Sequence, residues 1–238
     1  MEINGILKEM LDSIKCIPAE LGACDYDTDV VPRIDEIEEQ IREVAPEVAI
    51  YNGCTKCAIV DKTCDYVIKI PFRGMWYEAY NDEDCGEDFF EEFQYANDLE
   101  GYDDVRQWDY CENELIKYEK AVDAGFSEFF AETAYYGRIN NTPVYIQEKA
   151  MSFMEKYNEL PEPSNDAVKK YTENKDKLSC CITSKWVELA IDWYGFDKVV
   201  AFIDYLYDEN LNNDLHSGNI GFTEAGKPVL IDWAGFRD

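Results

Sequence analysis

Histidine and positive charge are both scarce in this 238-residue chain. His216 is the single histidine, and 22 Lys/Arg stand against 51 Asp/Glu, for a net charge of −29 and a pI near 4.2. A chain so poor in bases lacks the clustered Lys/Arg that phosphate backbones and anionic lipid require. Nucleic acid and membrane are therefore not expected as partners, and the surface is strongly hydrated and self-repelling. Long apolar runs are missing too, since none approaches the about 18–20 residues of a membrane helix. Lys8, Glu9 and Asp12 break the N-terminal stretch where a secretory signal needs a continuous apolar region. There is no internal repeat and no low-complexity linker.

What is present is enough for a core. The hydrophobic share is 46% and the aromatic share 14%, which excludes a disordered chain and leaves room for one large domain or a two-lobed unit. The 9 cysteines are odd in number and irregularly spaced, apart from Cys54-Thr-Lys-Cys57 and the adjacent Cys180-Cys181. Disulfide frameworks belong to short secreted chains with even counts, so these read as reduced thiols of a cytoplasmic protein. Zinc at Cys54/Cys57 is the alternative, but it needs a second close pair and usually His, whereas His216 is the single His and Cys64 stands at the wrong spacing.

Apolar spacing predicts an amphipathic helix over 2–15 (Ile3, Ile6, Leu7, Met10, Leu11, Ile14) and a second over about 33–45 (Ile34, Ile37, Ile41, Val44). Together, 1–46 read as a helical extension packed on a larger body. From 47 the period changes. Val48–Tyr51, Cys57–Val60 and Tyr66–Ile70 are short β-branched or aromatic runs separated by turns, a three-stranded antiparallel meander. A helix over 111–123 follows, then strands over 129–137 and 142–148 with a hairpin turn at 138–141. Helices are expected over 151–157, 165–177, 184–194 and 196–208, and a small hairpin over 219–233.

Between 78 and 112 lie fourteen Asp/Glu against the single Arg106, with Phe89, Phe90, Phe93, Tyr95, Tyr102 and Trp108 interleaved. This acidic insertion, 78–110, reads either as a segment that packs its rings and exposes its acids or as a docking surface for a cationic partner.

The densest chemistry is Asn213-Asp214-Leu215-His216-Ser217-Gly218-Asn219, followed thirteen residues after Asn219 by Asp232. A hairpin over this stretch folds Asp232 back toward Asn219, bringing two oxygen-bearing side chains together for a hard cation such as Mg²⁺. Asp214 is then left to accept a hydrogen bond from a substrate hydroxyl.

Asp-Leu-His-Ser-Gly-Asn with a later Ile-Asp-Trp resembles the catalytic and metal-binding segments of the protein-kinase-like superfamily, most closely its aminoglycoside and choline kinase branch. The resemblance covers about 47–238. It implies an α+β, two-lobed fold: a five-stranded antiparallel N-lobe over 47–149 with one helix after the third strand, and a small, mostly helical C-lobe over 150–238. It implies ATP and Mg²⁺ as cofactors, with Asp214 as the catalytic base or hydroxyl-orienting residue and Asn219 and Asp232 as metal ligands. Val67-Ile68-Lys69-Ile70 matches the strand whose lysine holds the α/β-phosphates. Glu114 is its expected partner, with Glu112 the neighbouring alternative. The backbone of Glu148–Ala150 matches the adenine-binding hinge.

Several positions depart from the family pattern. The phosphate-covering loop is reduced to Tyr51–Cys57, where Gly53 keeps one of the usual three glycines and Thr55 and Lys56 offer phosphate contacts; a plain hairpin turn is the other reading. Asn212 stands where the family has His, and Trp233-Ala234 follows the metal Asp. His216 stands where the small-molecule branch has His, or serves as a structural loop residue. With the last residue, Asp238, six beyond Asp232, the resemblance implies an acceptor held by the N-terminal helices, the insertion or a partner, or no transfer at all. The expected activity is γ-phosphoryl transfer from ATP to a hydroxyl of an acceptor, with net charge favouring a cationic small molecule or basic protein. A pseudokinase binding module and an acidic decoy for a basic protein are the alternatives.

Overall fold

The structure is a computed structural model that describes residues 5–13, 31–52, 56–71, 110–139, 142–153, 184–209, 211, 215 and 217–233. Its helices are α1 (Gly5–Ser13), α2 (Val31–Arg42), α3 (Tyr110–Asp123), α4 (Ser184–Tyr194) and α5 (Phe196–Asp208). Its strands are β1 (Ala49–Asn52), β2 (Lys56–Val60), β3 (Tyr66–Pro71), β4 (Thr133–Ile139), β5 (Thr142–Glu148), β6 (Ala150–Ser152), β7 (Ile220–Thr223) and β8 (Pro228–Leu230). The chain forms two compact units, Met1–Leu115 with Thr133–Glu148 and Ile116–Glu132 with Lys149–Asp238.

The protein is α+β, and its first unit is built on a five-stranded antiparallel sheet in the order β1-β2-β3-β5-β4. Strand alternation sorts the side chains onto two faces. Cys57, Ile59, Ile68, Ile70, Val144 and Ile146 point to one face, where they form an apolar core with Leu7, Met10 and Leu11 of α1 and Ile41 of α2. Each such side chain, fully buried, contributes about 1.5–3 kcal/mol. α1 reaches that core through residues spaced three and four apart, the stripe that 3.6 residues per turn places on one side. Residue parity assigns Lys56, Ala58, Val67, Lys69, Tyr145 and Gln147 to the opposite face.

The second unit is held by aromatic packing. Phe129 stacks on Phe202 at 4.0 Å and 7°, and touches Tyr194 at 4.2 Å. Phe130 meets Trp233 edge-on at 5.0 Å. β6, β7 and β8 make a three-stranded antiparallel sheet. Gly221 is required there, because a Cβ would lie 2.3 Å from the Met151 carbonyl oxygen. α4 turns into α5 at Gly195, whose φ of 92° is the left-handed backbone glycine tolerates. α3 ends in the motif of an αL glycine. Gly125 donates to the Val122 carbonyl and Phe126 to that of Ala121, satisfying the terminal carbonyls.

Four sequence expectations need correction. The run 129–137 is not one strand: Ser127–Phe129 is a 3-10 turn, Phe130 makes an isolated bridge to Leu230, and β4 begins at Thr133. The aromatic pair Phe129-Phe130 is drawn into the second unit's core, which overrides its strand propensity. β4 continues to Ile139, so the turn expected at 138–141 is narrower. Met151 lies in β6 and not in a helix, because Ala150–Ser152 pair with Gly221–Thr223. The second unit therefore carries a sheet in place of a lone hairpin. α2 runs over Val31–Arg42, starting two residues before and ending three residues before the expected 33–45. The expected helix over 165–177, and the acidic insertion through residue 109, lie outside the described residues.

Candidate functional site

The polar face of the first sheet carries a buried ionic cluster. Glu114, on α3, has no solvent exposure, and its two carboxylate oxygens are divided between two lysines. Lys69 Nζ donates to Oε2 at 2.9 Å, and Lys56 Nζ donates to Oε1. Lys69 is 5% and Lys56 8% exposed. Charged groups this deep persist only when paired, because each loses its hydration and regains it only from opposite charge and hydrogen bonds.

Register explains why these three meet. Ala58 is the cross-strand partner of Lys69, and Lys56 stands two residues before Ala58 on β2. Two residues is one full strand period, so both lysines leave the same face on neighbouring strands. The sequence assigns Lys56 to the loop before the second strand. The structure instead starts β2 at Lys56, so its ammonium is directed by the pleat and not by a turn. Gly53 and Thr55, the remaining candidates of that loop, lie outside the described residues.

Farther along the same face, the Gln147 side chain donates to the Thr133 hydroxyl at 2.9 Å, and both residues are buried. Sequence reasoning overlooked this pair. The signal was available in parity, since Gln147 alternates with the core residue Ile146 as Lys69 alternates with Ile68. Cys57, next to Lys56, points the other way. Burial pushes its thiol up from 9.0 to about 12, so it stays protonated near neutral pH. Cys57, Cys64 and Cys111 are buried and form no disulfide.

In the second unit, the β7–β8 hairpin brings Asp232 back beside Asn219. The Asn219 carbonyl accepts from the Ile231 N–H at 2.8 Å and the Asp232 N–H at 3.3 Å. Both side chains therefore start from adjacent points of one backbone ladder. Asn219 is buried at 7% exposure and Asp232 is half-buried. Among the described residues no three His, Cys, Asp or Glu side chains gather as a metal-binding group. An amide oxygen and a carboxylate are nonetheless a donor set that suits Mg²⁺, which completes its shell with water and substrate oxygens. Asp214, the expected base, and His216 lie outside the described residues.

Glu148 and Ala150 occupy two different sheets. Glu148 closes β5 opposite Tyr66, whereas Ala150 opens β6 opposite Thr223. Their backbone is thus the last pair of one ladder and the first of the next.

No known protein family, curated protein or solved structure matches this chain. No helix among the described residues is long and apolar enough to cross a membrane.

Proposed function

We propose that the chain is a protein-kinase-like phosphotransferase that moves the γ-phosphoryl group of ATP to an acceptor hydroxyl. The observation that carries this reading is the buried pair Lys69–Glu114, 2.9 Å apart, joining the third strand of a five-stranded antiparallel sheet to the helix that follows it. That placement supports a two-lobed kinase-like arrangement in which the acid orients the amine that holds nucleotide phosphates. The hairpin contact between Asn219 and Asp232 supports the second half of the reading, a pair of oxygen ligands for Mg²⁺.

The roles follow from these groups. Lys69 binds the α/β-phosphates, and the Glu148–Ala150 backbone recognises adenine. Asn219 and Asp232 would hold Mg²⁺, which would supply positive charge to the nucleotide phosphates. Asp214 takes the acceptor's hydroxyl proton. The acceptor oxygen bonds to the γ-phosphorus, the bond from that phosphorus to the β–γ bridging oxygen breaks, and ADP leaves with the electron pair. The net charge of −29 favours an amine-bearing small molecule or a basic protein as acceptor.

Calorimetric titration with Mg·ATP, paired with a phosphoryl-transfer assay over cationic and neutral acceptors, tests this. Asp214→Asn is expected to abolish turnover with nucleotide affinity kept, and Lys69→Ala to lower affinity. Unchanged transfer in Asp214→Asn removes the base assignment. Mg·ATP binding without transfer makes the chain a nucleotide-binding pseudokinase. No binding, with salt-sensitive capture of a basic protein indifferent to both substitutions, makes it an acidic decoy.

A further inference from the structure

We infer that the exposed side of α5 is a docking face for a basic amphipathic helix of another protein. The inference stands apart from the nucleotide reading, since no residue of that reading lies on α5.

One stripe of α5 faces inward, where Val199, Phe202, Ile203 and Leu206 are buried in the aromatic core of the second unit. Beside it runs a second, outward stripe. Phe196 and Tyr207 are 43% and 46% exposed, and Val200 between them is half-buried. Residues four and eleven after Phe196 fall within about 40° of it at 3.6 residues per turn, so the three make one line about 17 Å long. Trp193, 51% exposed, precedes Phe196 by three residues across the Gly195 turn. Single exposed apolar side chains are ordinary, but large rings repeated along one helical line are not. Asp197, Asp204 and Asp208 keep the same periodicity on the neighbouring line, roughly a quarter-turn round the helix. Asp197 and Asp208 are exposed, and among the described residues no hydrogen bond or ion pair occupies either carboxylate. The one base of α5, Lys198, falls on the opposite side and pairs with Glu128. An apolar line flanked by an acidic one is complementary to a helix whose apolar stripe is flanked by Lys or Arg. The π-faces of the rings attract the same cations. A second copy of this chain would set acid against acid at a net charge of −29, and anionic lipid or nucleic acid meets the same repulsion.

The test is fluorescence anisotropy of the full chain with a labelled synthetic peptide of about 18 residues, built from Leu, Ala and Lys, in which Leu forms one helical stripe and Lys the line beside it. A peptide of the same composition, scrambled so that no face is apolar, controls for charge alone. The patterned peptide is expected to bind about tenfold tighter than the scrambled one. Phe196→Ser with Tyr207→Ser is expected to remove that advantage. Asp197→Asn with Asp208→Asn is expected to weaken the patterned peptide and flatten its salt dependence, and an unchanged affinity and salt slope there overturns the acidic line. Equal affinity for the two peptides, or an advantage that survives Phe196→Ser with Tyr207→Ser, overturns the docking face and leaves only attraction to a highly acidic chain. No binding overturns it as well. Sedimentation equilibrium without peptide reads the other occupant: self-association that is lost in Phe196→Ser with Tyr207→Ser gives the face to a second copy and overturns the basic partner. Should that double variant not fold, the backbone amide resonances of wild type carry the test. Peptide-induced shifts are expected to concentrate at 193–208, and shifts centred elsewhere overturn the inference.

Discussion

In the first unit one face of the sheet packs aliphatic side chains against α1 and α2, and the other buries Lys56, Lys69 and Glu114. The second unit fills its interior with Phe129, Phe130, Phe153, Trp186, Phe202 and Trp233. Both are tightly closed, but they differ in what an intruding group would meet. Rings gain from contact in almost any offset or edge-on geometry, so the second core is tolerant and cohesive. A buried carboxylate between two ammoniums gains only while all three stay in register, and removing one partner leaves charge without compensation. Such an arrangement is a poor way to gain stability and a good way to hold charge in a fixed place. For this reason the candidate chemistry of the first unit falls on the polar face of its sheet.

Core substitutions break the comparison most severely. Glu114→Leu is expected to cost about 3–5 kcal/mol, since two ammoniums stay buried without their shared acid. Phe129→Ala is expected to cost a similar amount, about 3–5 kcal/mol, through the cavity beside Phe202 and Tyr194. The two diverge on repair. Replacing Lys56, Glu114 and Lys69 together by apolar residues of similar volume is expected to restore stability in urea unfolding, because the desolvation penalty disappears with the charges. No second substitution of that kind exists for Phe129. A triple variant as unstable as Glu114→Leu would show that the cluster also carries packing.

A smaller loss is expected from Gly221→Ala, about 1–3 kcal/mol, because the new methyl group meets the Met151 carbonyl 2.3 Å away on a neighbouring backbone that has no rotamer to change. A thermal melt identical to wild type would contradict the β6–β7 pairing.

The mildest effect is on pH dependence. Burial raises the Cys57 thiol from 9.0 to about 12. Between those values the unfolded chain releases the proton and the folded chain keeps it, so stability is intact below pH 9 and falls as pH rises toward 12. Cys57→Ala is expected to flatten that alkaline slope, read by urea unfolding at pH 8, 9 and 10. A slope equal to wild type would mean that the thiol is not desolvated as the first unit's apolar core requires.

Much of this architecture is legible from residue patterns. α4 and α5 span 184–194 and 196–208, where apolar spacing puts them, because long periodic segments carry redundant information. The three strands of the meander and the helix after them are also readable, as is the return of Asp232 to Asn219, which follows from hairpin geometry. Short apolar runs were less readable. Phe129–Glu132 has strand composition and Met151 sits in an apolar run, yet the first ends a 3-10 turn and makes only an isolated bridge at Phe130, while the second lies in a strand, since neither run is long enough for its period to decide. Lys56 was misplaced for a finer reason. A strand start shifted by one residue changes whether a side chain belongs to a loop or to a pleated face.

Composition, charge and period alone pointed to a strongly acidic α+β chain with five short strands in its first sheet. These are local or summed properties, available to a chain before it folds. Tertiary structure alone decided that Lys56 joins Lys69 on Glu114, that Cys57 faces away from them, and that Phe129 leaves the strand for a ring stack. Each of these depends on which backbone lies alongside, and that pairing links residues far apart in the sequence, 73 positions for Phe129 and Phe202. No short-range pattern encodes it.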